Sequence, residues 1–207
     1  MKSLHRRFDI LLAGVGGQGV VLASRVLAGA ALKAGLVTKT SETIGMAQRE
    51  GSVTSHVRIG TQVYSPLISQ GQADLLVSLE PAEAVRNLVF LRHSGWLLVN
   101  TEAVIPVTVS AGLSKYNDDK IRAYLAAYAG KDTKEERLIL IDGSKLAREA
   151  GSEKTLNSVM LGAVCGIGLL PLEREMVLET LLRMVPPRMA EMNKKAFDLG
   201  YEAISLR

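Results

Sequence analysis

Cysteine is nearly absent: Cys165 is the single thiol in 207 residues. One thiol cannot close an internal disulfide, complete a zinc site or hold an iron–sulfur cluster, which normally takes four thiolates. Any redox centre this chain works with must therefore sit elsewhere. Aromatic residues make up only 4% of the sequence, and its net charge of +4 is not gathered into Lys/Arg blocks. Without a basic stripe interleaved with stacking side chains, the usual signatures of nucleic-acid binding are missing. No apolar run is long enough to span a bilayer. The basic start (Lys2, His5, Arg6, Arg7) and the apolar run from Phe8 to Val15 do not make a signal peptide, because Asp9 breaks the run and it turns directly into a glycine loop. A cytoplasmic location is expected. Internal repeats, low-complexity tracts and long linkers are also lacking.

What is present is alternation. Phe8–Ala13 reads as a strand, Gly14–Gly19 as a tight loop and Val20–Ala34 as a helix. Val37–Thr40 is a second strand, but the polar, glycine-punctuated stretch after it is not a second crossover helix, and Val53–Ile59 alternates as a half-buried strand does. Asp74–Leu79, a helix opened by Pro81 and running to about Leu91, and Trp96–Asn100 form a β-α-β unit. Val104–Val109 reads as a further strand, Asp118–Tyr128 as a helix and Leu138–Asp142 as the last strand, followed by a helix from Ser144. Beyond Ser152 only helices follow: Leu156–Leu169, Glu173–Met184 and Arg188–Ile204.

The expectation is an α/β fold: a Rossmann-like, doubly wound, mostly parallel sheet with an extra loop and strand inserted after the second strand, and a C-terminal helical extension. It comprises one domain, with the α/β core in 1–151 and the helical extension in 152–207.

Gly14, Gly16 and Gly19 satisfy G-x-G-x-x-G between a strand and a helix, the context in which that pattern binds a pyrophosphate. Glycines let the main chain approach the anion closely, and the helix N-terminus favours negative charge there. The plainer alternative is a tight turn with no ligand. A nicotinamide enzyme also requires an acidic residue about 20 positions on, to hold the ribose. Glu42 is the candidate, yet its companions Thr43, Gly45, Gln48 and Arg49 look like a ligand-facing loop, and 207 residues leave little room for a substrate domain. Among single side chains, His56 reads as a hydrogen-bonded structural histidine, Arg49 and Arg58 as solvated or paired with Glu42 and Glu50, Cys165 as a small core residue, and Glu80 as either a crevice carboxylate or a cap for the helix at Pro81.

The most distinctive stretch runs Glu42-Thr43-Ile44-Gly45-Met46-Ala47-Gln48-Arg49-Glu50-Gly51-Ser52-Val53-Thr54-Ser55-His56-Val57-Arg58. Together with the glycine loop, Leu79-Glu80-Pro81-Ala82-Glu83-Ala84 and Asn157-Ser158-Val159-Met160-Leu161-Gly162-Ala163, it resembles the gamma-type subunit of 2-oxoacid:ferredoxin oxidoreductases. Within that family it is most similar to the small subunit of the indolepyruvate type. The resemblance covers Phe8 to about Ala163. Ile44 stands where the family commonly has histidine, and Glu50 where it has the first glycine of a pair. A carboxylate close to a bound phosphate costs Coulomb energy unless it turns away or pairs with Arg49 or Arg58.

The resemblance implies a multi-subunit oxidative decarboxylation. A 2-oxoacid such as indolepyruvate, coenzyme A (CoA) and oxidised ferredoxin give an acyl-CoA, carbon dioxide and reduced ferredoxin. It places thiamine diphosphate and the iron–sulfur clusters on a large partner subunit, through which ferredoxin is met. It gives this chain the task of holding CoA with Gly14, Gly16, Gly17, Gln18 and Gly19, with Glu42 beside them and Arg49 as the accompanying cation. No side chain of this chain need be a catalyst. The helical tail is long enough to pack on the sheet and still offer a face to the partner, or to a second copy in its absence. The contrasting reading is a stand-alone NAD- or CoA-binding protein, a dehydrogenase or a regulator, which would not co-purify with a thiamine-containing subunit.

Overall fold

Strand β1 (Arg7–Val15) is apolar on both sides, and that makes it the centre of the sheet. Phe8, Ile10 and Leu12 enter one buried cluster, whereas Leu11 and Ala13 enter another on the opposite face. The computed structural model describes residues 7–43, 51–105, 116–129 and 137–205. After β1 come α1 (Val20–Lys33), β2 (Val37–Glu42), β3 (Ser52–Gly60), β4 (Ala73–Ser78), α2 (Pro81–Asn87) and β5 (Leu91–Asn100). The remaining elements are α3 (Asp118–Ala129), β6 (Leu138–Ile141), α4 (Gly143–Ala150), α5 (Leu156–Ile167), α6 (Arg174–Met184) and α7 (Ala190–Ser205). Among the described residues no helix is long and apolar enough to cross a membrane.

The six strands lie in the order β2-β3-β1-β4-β5-β6. β1, β4, β5 and β6 are parallel, and β3 is antiparallel to both of its neighbours. The extra strand expected after the second one is thus real, and it is wedged between β2 and β1. Helices α1, α5, α6 and α7 share the cluster on one face, so the C-terminal helices build the main core rather than hang from it. Helices α2 and α3 cover the other face.

The segment from 61 to 72 also covers part of that second face, and it explains the polar residues of β3. A coil laid over a sheet must find partners for its backbone. Arg58 Nη1 donates to the carbonyls of Ser65 (3.1 Å) and Leu67 (2.7 Å), and the Ile68 amide donates to His56 Nδ1 at 3.1 Å. Arg58 also donates to both oxygens of Asp9, at 3.1 and 3.2 Å. This corrects the expectation that Arg58 would be solvated or paired with Glu42 or Glu50. Its cross-strand neighbour in the β1–β3 register is Asp9, a pairing that spacing alone does not reveal. Asp9 is 1% exposed, and its amide donates to Asp74 Oδ2 at 2.6 Å. Arg92 pairs with Asp74 at 2.6 Å, and burial still pushes the Asp74 carboxyl above its ordinary range.

Helices α5 and α7 cross in backbone contact. A Cβ placed on Gly162 would lie 1.9 Å from the Phe197 carbonyl oxygen, and one on Gly200 would lie 2.0 Å from that of Val159. Arg174 of α6 ties the layer together by pairing with Asp198 at 2.5 Å and lying over the Tyr201 ring.

Two expected boundaries moved. The helix opened by Pro81 ends at Asn87, and after one tighter turn β5 starts at Leu91, five residues before Trp96. Exposed Arg92, His93 and Ser94 hid that start from an apolar pattern. Val104 and Ile105 form no strand, and the rest of the stretch expected there, 106–109, lies outside the described residues.

Candidate functional site

The glycine loop closes on itself before it can meet anything else. At the end of β1 the Val15 amide donates to Gln18 Oε1 at 2.7 Å, and Gln18 Nε2 donates to the Leu79 carbonyl at 3.0 Å. Gln18, an expected ligand residue, therefore spends its carboxamide tying the carboxyl ends of β1 and β4 together. Gly14 has no space for a side chain because a Cβ there would meet Gln18 Oε1 at 2.8 Å and Val20 Cγ2 at 2.9 Å. Gly17 and Gly19 adopt left-handed backbone, with φ of 94° and 83°. Gly19 starts α1 without a side-chain cap, and that first turn holds no acidic residue. The first N–H groups of α1, as at any helix start, have no partner within the helix.

Removing the Gln18 carboxamide tests its role. Gln18→Ala is expected to lower stability by about 1–2 kcal/mol, the scale of two net hydrogen bonds with partial desolvation. Urea unfolding measures this, and an unchanged midpoint would show that the bonds contribute nothing.

Among the described residues, the loop is fastened to the distinctive segment by a backbone bond from the Gly16 amide to the Gly51 carbonyl at 3.0 Å. Ser52 next to it donates to Glu83 Oε2 at 2.6 Å, and Glu83, also paired with Arg86, belongs to α2. Glu80 accepts from the Glu83 amide at 2.9 Å as the cap of α2, and the Tyr116 hydroxyl donates to it at 2.5 Å. Of the two readings held for Glu80, capping is the one observed. Burial and the Glu80 carboxylate push the Tyr116 hydroxyl well above its ordinary range, so it stays a donor at all physiological pH. Leu79-Glu80-Pro81-Ala82-Glu83-Ala84 thereby acquires a physical job. Its first carbonyl anchors Gln18, its two carboxylates hold α2, and α2 holds the first residue of β3.

Glu42, at the end of β2, points to α1: it accepts from Ser24 Oγ at 3.0 Å and lies 3.9 Å from Arg25 Nε. Thr43 donates its amide to the Thr54 carbonyl and faces the loop. Ile44, Gly45, Gln48, Arg49 and Glu50 lie outside the described residues. His56 sits on β3 with its ring edge-on to Phe90, 5.5 Å between centroids. Burial, then the Arg58 charge, hold its pKa below the usual histidine range, which fits the neutral ring that accepts from Ile68. Cys165 is largely buried and its thiol is pushed up to about 12, as expected of an inert core residue.

The loop opens onto a cavity of about 280 Å³ walled by Val15, Gly16, Gly17, Gly19, Val20 and Thr43, among others. Backbone amides, glycine surface and small aliphatic side chains make its walls. Such a wall offers donors to an anion and a surface to a flat or flexible organic group, and among the described residues that line it none carries a charged side chain.

A family model described as pyruvate ferredoxin/flavodoxin oxidoreductase matches residues 9–203. The chain belongs to that family. It is a subunit of an oxoacid:ferredoxin oxidoreductase. A relative from Pyrococcus horikoshii, indolepyruvate oxidoreductase subunit IorB, is 39% identical over 200 residues that cover 96% of each chain. The solved gamma subunit of a keto/oxoacid ferredoxin oxidoreductase from Geobacter sulfurreducens covers 97% of each chain with TM-score 0.71 and 25% identity. The same fold occurs inside a 2-oxoglutarate:ferredoxin oxidoreductase from Magnetococcus marinus, with TM-score 0.69 and 19% identity, over 98% of this chain and 31% of that one.

Sequence reasoning attached no role to Ser52, Glu83 or Tyr116, and none of them carries a local signal. Their partners lie 31 to 36 positions away in the chain. Asn157 was noticed only as part of a recurring motif. In the structure it stands against the glycine loop: a Cβ on Gly19 would lie 2.7 Å from its Nδ2.

Proposed function

We propose that this chain is the small subunit of an indolepyruvate-type oxidoreductase and that it holds CoA for a large partner subunit. The observation that carries the reading is the glycine loop, strapped to the start of β3 by the Gly16–Gly51 bond and open to a cavity on its helix side. Family membership and the indolepyruvate name of its relative give the reaction class. The loop would grip the diphosphate with the orphan amides of α1, supported by Gly14 through Gly19, and Arg49 would add a positive charge. A cavity of 280 Å³ is at the low end for ligand pockets, as befits one half of a shared site.

The chemistry that thiamine diphosphate and iron–sulfur clusters supply belongs to the partner, as does contact with ferredoxin. This chain's residues contribute position. Holding the CoA thiol at the reacting carbon converts a collision into an oriented encounter, which lowers the barrier without any proton transfer from this subunit. The complex would work in the cytoplasm.

A variant of the loop tests the reading. Gly17→Val places a β-branched residue at φ 94°, where L side chains are strained, although its Cβ would meet nothing within 4 Å. In the complex with the large subunit, calorimetric titration should show CoA binding weakened about tenfold or more, as expected when anion-binding amides are misaimed. Unchanged CoA affinity would remove the loop from the site. Binding of NAD by the wild-type protein instead of CoA would replace this reading with a dinucleotide enzyme.

A further inference from the structure

The cavity does not end at the glycine loop. Its walls continue through Val21 in the first turn of α1, Thr43 just past β2 and Val53 at the start of β3, toward the sheet edge that β2 forms. A cation stands at that end. Arg25 follows Val21 by one helical turn, so the two side chains share a face of α1. Glu42, next in the chain to Thr43, lies 3.9 Å from Arg25 Nε. Both walls at this end of the cavity are therefore immediate neighbours of the Arg25–Glu42 pair. The arginine is little engaged by the fold. Its side chain is 66% exposed, Ser24 Oγ already donates to the Glu42 carboxylate at 3.0 Å, and among the described residues nothing takes the two terminal nitrogens of Arg25. An ion pair this long and this open to solvent contributes little to stability.

Strand order limits what can reach this cation. In doubly wound folds the strand after the first helix lies beside the glycine-loop strand, and its end meets the ribose of a bound nucleotide. Here β3 intervenes, so the edge formed by α1 and β2 lies one strand spacing, about 5 Å, farther out. A group that reaches it must project beyond the ribose. CoA carries such a group, the 3′-phosphate of its adenosine, and that group is an anion. NAD lacks it.

Resting on the CoA reading above, we propose that Arg25 is a specificity-determining residue that binds the 3′-phosphate of CoA, with the adenosine lying in the end of the cavity walled by Val21, Thr43 and Val53. Glu42 steadies the guanidinium through Nε and leaves the two terminal nitrogens to the phosphate, the fork that suits arginine to such anions. The guanidinium then stands between two anions and separates them. The pantetheine arm leaves the loop on the other side, away from β2. The subunit thereby distinguishes CoA from ligands that share its diphosphate but lack the 3′-phosphate.

Steady-state kinetics of the complex with its large subunit, run with CoA and with dephospho-CoA, test the assignment. The wild-type complex should show a KM for dephospho-CoA about tenfold above that for CoA, the scale of one charge-assisted contact. Arg25→Met should raise the KM for CoA to about the dephospho-CoA value and leave the KM for dephospho-CoA where it was, because the contact it removes is with a group that dephospho-CoA does not have. Arg25→Lys should keep part of the preference. A wild-type complex indifferent to the 3′-phosphate, a preference that survives Arg25→Met, or an equal rise in both KM values would each overturn the assignment. Gly17→Val is the reference and should raise both KM values alike. If Gly17→Val raises the KM for CoA and Arg25→Met does not, Arg25 is removed from the site while the CoA reading stands. If neither variant moves the KM for CoA, the underlying reading fails as well.

Discussion

Gly162→Ala is expected to destabilise the protein by about 3 kcal/mol or more, at or beyond the upper end of ordinary overpacking costs. Extra methylenes in a core can often be absorbed by turning a flexible neighbour. Here the obstacle is the Phe197 carbonyl oxygen, 1.9 Å from the added Cβ, with the Phe197 carbonyl carbon at 2.8 Å and the Tyr201 amide nitrogen at 3.0 Å. All three atoms are backbone, so α7 itself must move away. The contact is reciprocal, since Gly200 meets the Val159 backbone in the same way, and Gly200→Ala should be comparably damaging. Moving α7 would open the cluster that Phe197 and Ala196 share with Val159, Met160 and the sheet. Against a typical total of about 5–15 kcal/mol, such a loss leaves a marginal protein. Gly71→Ala, at φ 69° with open space around it, is the control and should lose only about 1–2 kcal/mol of backbone preference. Chemical denaturation of the three variants decides the matter, and near-equal losses would show that the crossing adapts.

Removing the Arg58 guanidinium should cost about 3–5 kcal/mol, the scale for breaking a buried ion pair from one side. Arg58→Met leaves the Asp9 carboxylate in place at 1% exposure, with Arg7 at 2.9 Å as its remaining cationic partner. It also strips the Ser65 and Leu67 carbonyls of their donor. Arg58→Lys should recover little, because an ammonium cannot reach two carboxylate oxygens and two carbonyls in one plane. Adding Asp9→Asn to Arg58→Met should restore part of the loss by removing a buried charge left with Arg7 alone. Thermal melts of the set give the comparison. A double variant no more stable than Arg58→Met would show that the carbonyls, not the charge, dominate.

The order of the elements was legible because each strand and helix declares its period locally. The apolar run of β1, the alternation of β3 and the Pro81 start of α2 needed no tertiary information. Pairing was not legible: alternation marks β3 as a strand but says nothing of its place between β2 and β1, and so Arg58 could not be matched to Asp9. The glycine loop was legible as a tight strand-to-helix turn, since Gly14, Gly17 and Gly19 are required by local geometry. The inward use of Gln18 was not, because its partner Leu79 lies 61 residues away. The same holds for the α5–α7 crossing. Gly162 stood in a recognisable motif, but only the partner helix shows why a residue unfavourable inside helices is kept there.

The wedged strand β3 also separates Glu42 from the glycine-loop strand. In doubly wound dinucleotide folds the strand that carries the ribose-binding carboxylate lies directly beside the glycine-loop strand. Here β2 lies two strand spacings from β1, about 10 Å, and Glu42 is level with Ser55 and Leu12, three residues short of Val15. A diphosphate held on the loop as proposed would have the backbone of β3, and no acid from β2, beside its ribose. Strand order therefore keeps Glu42 out of the position that carries the ribose-binding carboxylate in those folds, and redesign toward nicotinamide dinucleotides would have to change that order before any exchange at position 42.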